Sequence, residues 1–451
     1  MKDSILFCIE VILNSFIFIL FYRYHQRMMK FKEEYSDQIY PIDFRLILFG
    51  LDYFIRTKTE ITVDSFKNFL ENDRLQLFEN YQKLVPSKAP TYYHELVPFH
   101  ANGLLKKEIN YRDYFTLDNV NIKHFTSFIY HGDKHEHETK PFLTKTLNGE
   151  PKISKTNFTI IYCLTISRPS VQLIRQIEAL WHDEVAFIIF YDNKKNRTIL
   201  YELFESQIQN DKFKNVYIMD SPRFYVDWGR ITQAFTEIAM NQAAIKFYPD
   251  SLYVSFHSES DYPLVPPGVV VKYLQQSYPS NYIQSLYDWG SQWKHKRRED
   301  FSFTFNDESL KGIDKVVRYL FPNKIMPVAE WRNGWNWFTM TLKDSKIMME
   351  MLYKRFDLVD ALEYCAFSEE IIFETLAAEA NISTTNEYLR YIDWRTRSAH
   401  PLVYTERHFN DLISHRCSLW ARKFIIGESD KVLDMIDAHI KNYPQNKEFV
   451  C

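Results

Sequence analysis

The residues of this chain best suited to chemistry fall into a few short groups. Two adjacent carboxylates, Glu369 and Glu370, stand in the segment SEEIIFETL (368–376). A carboxylate within hydrogen-bond reach of a hydroxyl can take its proton as that oxygen attacks an electrophile. Neighbouring residues on a helix project about 100° apart, so only one of the two can face a given cleft well. An acidic pair at a helix start is also what the helix dipole favours without any catalysis. Two adjacent cations, Arg422 and Lys423, occur in LWARKF (419–424). Fixed cations can stabilise negative charge that develops on a leaving group; taken alone, such a pair reads rather as solvated surface. FHSESDYPL (256–264) carries Glu259 and Asp261. Glu370 with Asp261 would make a carboxylate pair of the kind hydrolases use. His131, His135 and His137 lie in HGDKHEHETKP (131–141), which reads as a solvated loop rather than a metal site.

Positioning these groups requires a scaffold, and its pattern begins near residue 156. FTIIYCLTI (158–166), VAFIIFYD (185–192), NVYIMD (215–220) and SLYVSFHSESD (251–261) are apolar, β-rich runs expected to be buried strands. Helical spacing is expected over 171–181, 198–209 and 228–247 between them. Such alternation predicts a mostly parallel sheet flanked by helices, a Rossmann-like α/β fold. Sheets of this kind bind ligands beyond the C-terminal ends of their strands. The polar residues there are Ser167, Arg168, Asp192, Asn193 and Ser258–Asp261. No G-x-G-x-x-G follows the first strand and no Walker A motif is present, which disfavours a dinucleotide enzyme or a P-loop ATPase.

Composition narrows the class further. The chain has 451 residues, 46% hydrophobic and 17% aromatic, enough for a large core. A formal net charge of -3 gives no reason to expect nucleic acid. The five cysteines, Cys8, Cys163, Cys365, Cys417 and Cys451, form no C-x-x-C, so a zinc ribbon or thioredoxin-type site is not expected. Excluding Cys8, they allow up to two disulfides in an oxidising compartment, with the pairing open. N-x-[ST] sequons occur at Asn157, Asn196 and Asn381.

Ser4–Tyr22 reads SILFCIEVILNSFIFILFY, long enough to cross a bilayer at about 1.5 Å per residue. No small-residue cleavage site follows, which favours a retained anchor. Glu10 and Asn14 interrupt the run, and an acidic group near the bilayer centre costs about 2.5–3.5 kcal/mol. Arg23, Arg27, Lys30 and Lys32 follow the span while only Lys2 precedes it, so the positive-inside rule alone leaves the C-terminal domain in the cytosol.

Taken in order, several fragments resemble the Core-2/I-branching β-1,6-N-acetylglucosaminyltransferase and peptide O-xylosyltransferase family (glycosyltransferase family 14 type). They are TIIYCLTI, FYDNK, VDWGRITQA (226–234), FHSESDYPL, GWNWFTM (334–340), SEEIIFETL, LRYIDW (389–394) with AHP (399–401), and LWARKF followed by KVLDMID. Each is weak alone; S-x-S-D-Y-P-L and R-Y-I-D-W…H-P…A-R-K-F in order are specific. The resemblance runs from Thr159 to about Ile436 and leaves residues 1–150 uncovered.

The resemblance implies a GT-A-like fold and inverting transfer from a UDP-sugar to a glycan or glycoprotein hydroxyl, with no metal and no other cofactor. Ser258-Glu259-Ser260-Asp261 stands where other GT-A enzymes carry D-x-D. It implies Glu370 as the base, with Phe373 and Thr375 supporting the register and Glu369 as the competitor. It implies Lys423 at the diphosphate, helped by Arg422 and near His400, and Asp192 at the uridine. Glu259 and Asp261 stand where donor or acceptor sugar is contacted. Trp335 and Trp337 are candidates to stack on a sugar ring, although buried tryptophan is ordinarily core. Trp228, with Gly229, opens a helix near the cleft. N-acetylglucosamine is the first candidate donor sugar, with xylose or glucuronic acid as others. The implied organisation is a signal-anchor at 1–22, a stem and accessory region at 23–155, a catalytic domain at 156–440 and a tail at 441–451. The implied location is the Golgi membrane, single-pass type II with a lumenal catalytic domain, against the charge count. The alternative is an inactive glycan-binding or scaffold protein on the same fold.

Overall fold

The computed structural model describes residues 115–130, 153, 155–192, 198–224, 226, 231–284, 286–287, 331–362, 367–395, 400–444, 449 and 451. All fall in one of two compact units, Lys107–Asn306 with Pro322–Cys451. The expected span at Ser4–Tyr22, the histidines of 131–141, and Trp228 with Gly229 lie outside the described residues. Among the described residues, no helix is long and apolar enough to cross a membrane.

The fold is mixed α/β. Its main sheet has six strands in the order β1-β4-β3-β2-β5-β9. These are β1 (Asn121–His124), β2 (Ile160–Ile166), β3 (Val185–Tyr191), β4 (Val216–Ser221), β5 (Tyr253–Ser258) and β9 (Thr339–Thr341). The inner four run parallel; β1 pairs antiparallel with β4 and β9 antiparallel with β5. The expected strands are all present. β2 and β3 are buried almost throughout, which is why they read as unbroken apolar runs rather than alternating ones. β1 carries the sheet upstream of residue 156, into the region expected to be stem and accessory structure.

Helix α1 (Phe125–Tyr130) follows β1. Helices α2 (Val171–Leu180) and α3 (Thr198–Glu205) link β2 to β3 and β3 to β4. α2 is amphipathic and buries Leu173, Ile177 and Leu180. Helix α4 (Ile231–Phe247) returns from β4 to β5 and is buried on nearly every side. The chain thus leaves β2 towards β3 and returns to its other side at β5. The order reverses between β2 and β5, where open α/β sheets form a ligand crevice.

A second, three-stranded sheet extends from that point. β6 (Asp261–Pro263) follows β5 after two residues. It pairs antiparallel with β11 (Trp420–Arg422), which pairs parallel with β10 (Arg390–Ile392). Helix α5 (Pro267–Ser277) follows β6, and a short β7 (Leu286–Tyr287) pairs with β8 (Arg332–Asn333). Helices α6 (Leu342–Lys354), α7 (Phe356–Leu362) and α8 (Ile372–Glu379) precede β10. α9 (Phe409–Ser414) lies between β10 and β11, and α10 (Asp430–Lys441) ends the fold. Leu412 of α9 and Val432, Leu433 and Ile436 of α10 share a core with Tyr262, Tyr404 and Phe424.

The cysteines divide. Cys417 and Cys451 form a disulfide, with Cα atoms 4.4 Å apart. Cys163 is a free thiol buried in β2, so it takes no part in the two-disulfide arrangement open from sequence. Cys8 and Cys365 lie outside the described residues.

Candidate active site

The site gathers where the two sheets meet. Ser167 follows β2 and Glu259 follows β5. The Ser167 hydroxyl donates to Glu259 Oε1 at 2.7 Å, and its backbone N–H donates to the same oxygen at 3.3 Å. Gln172, in the first turn of α2, donates to the Glu259 carbonyl at 2.9 Å. These bonds tie together the ends of the strands between which the order reverses.

Asp261 faces Arg422 across the β6–β11 register. Arg422 Nη1 donates to Asp261 Oδ1 at 3.2 Å, and also bonds the Ser258 hydroxyl. The Ser258 N–H donates to Asp261 Oδ2 at 2.9 Å, with His257 Nδ1 3.5 Å from that oxygen. Burial alone would raise the Asp261 carboxyl, but Arg422 and His257 outweigh it and hold it at about 2. Expected as a sugar contact, Asp261 is fully buried, and both its oxygens are engaged by the protein. Its place is beneath the site, as the anchor of Arg422.

Arg390, on β10, braces the same region from below. It donates to the carbonyls of Trp337 at 2.7 Å and Tyr388 at 3.1 Å, and contacts His257 Nε2 at 2.9 Å. Burial pushes its guanidinium down to about 10, opposed by Asp261. Burial, and then the positive Arg390, press His257 down to about 3, so its imidazole is neutral at physiological pH.

Lys423 follows β11, with its carbonyl accepting from the Tyr404 N–H at 2.9 Å. It is half-buried. Burial and then Arg422 lower its amine, with Arg168 adding and Glu259 opposing. His400 is exposed; burial of its ring and then Lys423 and Arg422 lower it. Arg422 and Arg168 therefore act on Lys423 through space as one positive group, with Glu259 the adjacent carboxylate and His400 a neighbouring imidazole that burial and this charge hold neutral. A compact set of like charges on a rigid strand end favours an anion.

The segment Gly334–Trp337 joins this group to the acidic turn. The Arg422 guanidinium lies over the Trp337 ring at 4.1 Å. Trp337 stacks on Trp335 at 6.1 Å, and Trp335 stacks on Trp394 at 5.0 Å. The two tryptophans expected to meet a sugar thus belong to a three-ring stack, and Trp394 was not foreseen. The Gly334 N–H donates to the Glu370 carbonyl at 3.1 Å. A Cβ on Gly334 would sit 1.8 Å from the Gln284 carbonyl oxygen, so only glycine permits this approach.

Glu369 and Glu370 lie in a 3-10 turn, Ser368–Glu370, ahead of α8. Phe367 enters it with φ 57°, a left-handed conformation that costs a non-glycine residue about 1 kcal/mol or more. The Ser368 hydroxyl anchors the turn to the Leu362 carbonyl at 3.0 Å. Thr375 ties α8 to β8, donating to the Arg332 carbonyl at 3.2 Å and accepting its N–H at 3.1 Å. Phe373 packs against Phe338, rings tilted by 48° and 5.4 Å apart. Behind the turn stands Glu237 of α4, whose Oε1 accepts from Asn336 Nδ2 at 3.0 Å. Burial pushes the Glu237 carboxyl well up, and of the neighbouring carboxylates Glu369 acts on it most, ahead of Glu374 and Glu370. Glu369 is 2% exposed and Glu370 8%, so Glu370 is the less deeply buried of the pair.

Asp192 ends β3 in this crevice. Its Oδ1 accepts from the Val226 N–H at 3.1 Å, and its own N–H donates to Ile166 at 3.0 Å. His257, Arg390 and Trp394 were missed by sequence reasoning although they stand inside the quoted segments FHSESDYPL and LRYIDW. Glu237 carried one signal, an acid within an otherwise apolar helix.

A family model for the Core-2/I-branching enzyme matches residues 160–414, more than half of the chain. The match begins with β2 and ends with α9, so it takes in Asp192, Glu259, Asp261, Trp335, Trp337, Glu370 and His400 but stops short of Arg422 and Lys423. No curated protein matches the chain. With its crevice at the β2–β5 reversal, its acidic turn and its matching central residues, the chain belongs to the Core-2/I-branching enzyme family of glycosyltransferases.

Proposed function

We propose that the protein is an inverting, metal-independent transferase of GT-A type that moves a sugar from a UDP-sugar to a hydroxyl of a glycan or glycoprotein. N-acetylglucosamine is the first candidate sugar, with xylose and glucuronic acid next. The carrying observation is the positive group of Lys423, Arg422 and Arg168 at the strand-order reversal, beside His400, with Arg422 fixed by Asp261. In the reaction the acceptor oxygen attacks the anomeric carbon from the face opposite the diphosphate. The O–C1 bond forms as the bond from C1 to the phosphate oxygen breaks, and that oxygen leaves with the electron pair. Glu370 takes the hydroxyl proton. Lys423, with Arg422, meets the charge that grows on the diphosphate. Because Asp261 is engaged on both oxygens, the Ser258–Asp261 segment offers a divalent ion little at the D-x-D position.

We further propose a lumenal catalytic domain on a Golgi-membrane type II protein. The Cys417–Cys451 disulfide supports this, since such bonds persist in oxidising compartments. The test is a panel of UDP-sugars scored by UDP release from the full chain in the presence of a chelator. Release from one donor, dependent on an acceptor and indifferent to chelation, is the expected result. Glycan binding without release from any donor would instead favour a scaffold on this fold.

A further inference from the structure

We infer that Asn381 carries an N-linked oligosaccharide. The proposal rests on the lumenal part of the reading above. Asn381 opens the sequon Asn381-Ile382-Ser383 at the turn that ends α8. Its backbone is left-handed, with φ 54°. The Asn381 N–H donates to Ala378 at 3.0 Å and the Ile382 N–H to Ala377 at 2.9 Å. This is the paired closure that satisfies the last carbonyls of a helix, and glycine fits it best. The backbone does the capping, and among the described residues the Asn381 side chain makes no hydrogen bond. The chain therefore keeps an exposed amide at a position where the fold asks only for a left-handed residue. Ser383 is exposed too, and its structural bond is through its carbonyl, which accepts from Asn281 Nδ2 at 3.0 Å. The hydroxyl that completes the sequon makes no hydrogen bond among the described residues.

Asn157 offers a contrast. It is exposed, but its partner Thr159 is buried, and the Thr159 hydroxyl accepts from Gln275 at 2.9 Å. That threonine has a structural reason to be present without any glycan. Asn196 lies outside the described residues. A glycan on Asn381 also leaves the chemistry clear. Glu370 stands just before the start of α8 and Asn381 just beyond its end, and eight helical residues span about 12 Å.

In the modification, the Asn381 amide nitrogen displaces a lipid diphosphate from C1 of a lipid-linked oligosaccharide. The N–C1 bond forms, the C1–O bond breaks, the amide gives up one proton, and the lipid diphosphate leaves. The full chain should be expressed in cells with a secretory pathway and treated with a glycan-releasing amidase that hydrolyses the bond between the asparagine side-chain carbonyl and the glycan-bearing nitrogen. The expected result is a faster-migrating band and conversion of Asn381 to aspartate, read by peptide mass spectrometry. Ser383→Ala keeps the asparagine and its turn, and Asn381→Gly keeps the left-handed backbone; both should lose one glycan and retain transfer activity. An unmodified Asn381 in a chain with an oxidised Cys417–Cys451 bond would overturn the assignment while leaving the lumenal reading intact. An unmodified chain whose Cys451 alkylates without reductant would overturn both.

Discussion

Asp261→Asn isolates the support of the positive group. The substitution keeps the shape of the side chain and removes its charge. Asn Oδ1 can still accept the Ser258 N–H, but its amide then turns donors towards Arg422 Nη1, now 3.2 Å from Asp261 Oδ1. Removing one partner of a buried ion pair costs about 3–5 kcal/mol, because the other charge is left buried without compensation. The Arg422 side chain is 13% exposed and keeps its contact with the Trp337 ring, so the lower end, about 3 kcal/mol, is expected. Denaturant unfolding of the full chain measures it as a lower midpoint with an unchanged slope. Arg422→Met in the Asp261→Asn background should recover part of the loss, since no unpaired guanidinium then remains. Under native conditions Asp261→Asn should also lower kcat with little change in acceptor KM. A loss below about 0.5 kcal/mol, or strict additivity of the two substitutions, would refute the claim that Asp261 holds Arg422.

Four further outcomes follow from the same geometry. Lys423→Ala should cut kcat roughly 100-fold or more, the scale of losing one stabiliser of developing charge, and Lys423→Arg should restore part of it in steady-state kinetics. Because burial and Arg422 lower the Lys423 amine, the wild-type rate should fall on the alkaline side below pH 10.5, and a limb at or above that value would contradict the placement. Gly334→Ala should destabilise the protein by about 3 kcal/mol by thermal or chemical unfolding, since its methyl meets the Gln284 carbonyl at 1.8 Å; a stability equal to wild type would show that the segment can move aside. Glu237 has a raised carboxyl, so its stabilising contribution is present below its ordinary pKa of 4.5 and is lost as pH rises through the folded value. Glu237→Gln should therefore gain stability relative to wild type as pH increases, and a gap that is constant with pH would contradict the burial argument.

The main sheet was legible because its inner strands are buried on both faces, which leaves apolar runs such as IIYCLTI and VAFIIFY with little ambiguity. The second sheet was not. Its strands are three residues each, and Asp261, Arg390 and Trp420 come together from distant parts of the chain. No local periodicity encodes such a pairing; the segments of β10 and β11 were noticed only through resemblance. The same limit explains Asp261. The resemblance implied contact with a sugar, yet its register partner is Arg422, and a cross-strand neighbour cannot be read from one strand. Glu370 was separable from Glu369 only by resemblance, whereas in the fold the two differ by which faces Glu237 more closely. The tryptophan stack needed three segments, of which Trp335 and Trp337 lie in one and Trp394 in another.

The central claim is that Glu370 takes the acceptor proton while the positive group holds the diphosphate. Its most direct test is Glu370→Gln, followed by UDP binding calorimetry and sugar transfer on the same preparation. The account predicts transfer lowered by at least about 100-fold with UDP affinity close to wild type. Transfer at the wild-type rate would contradict it.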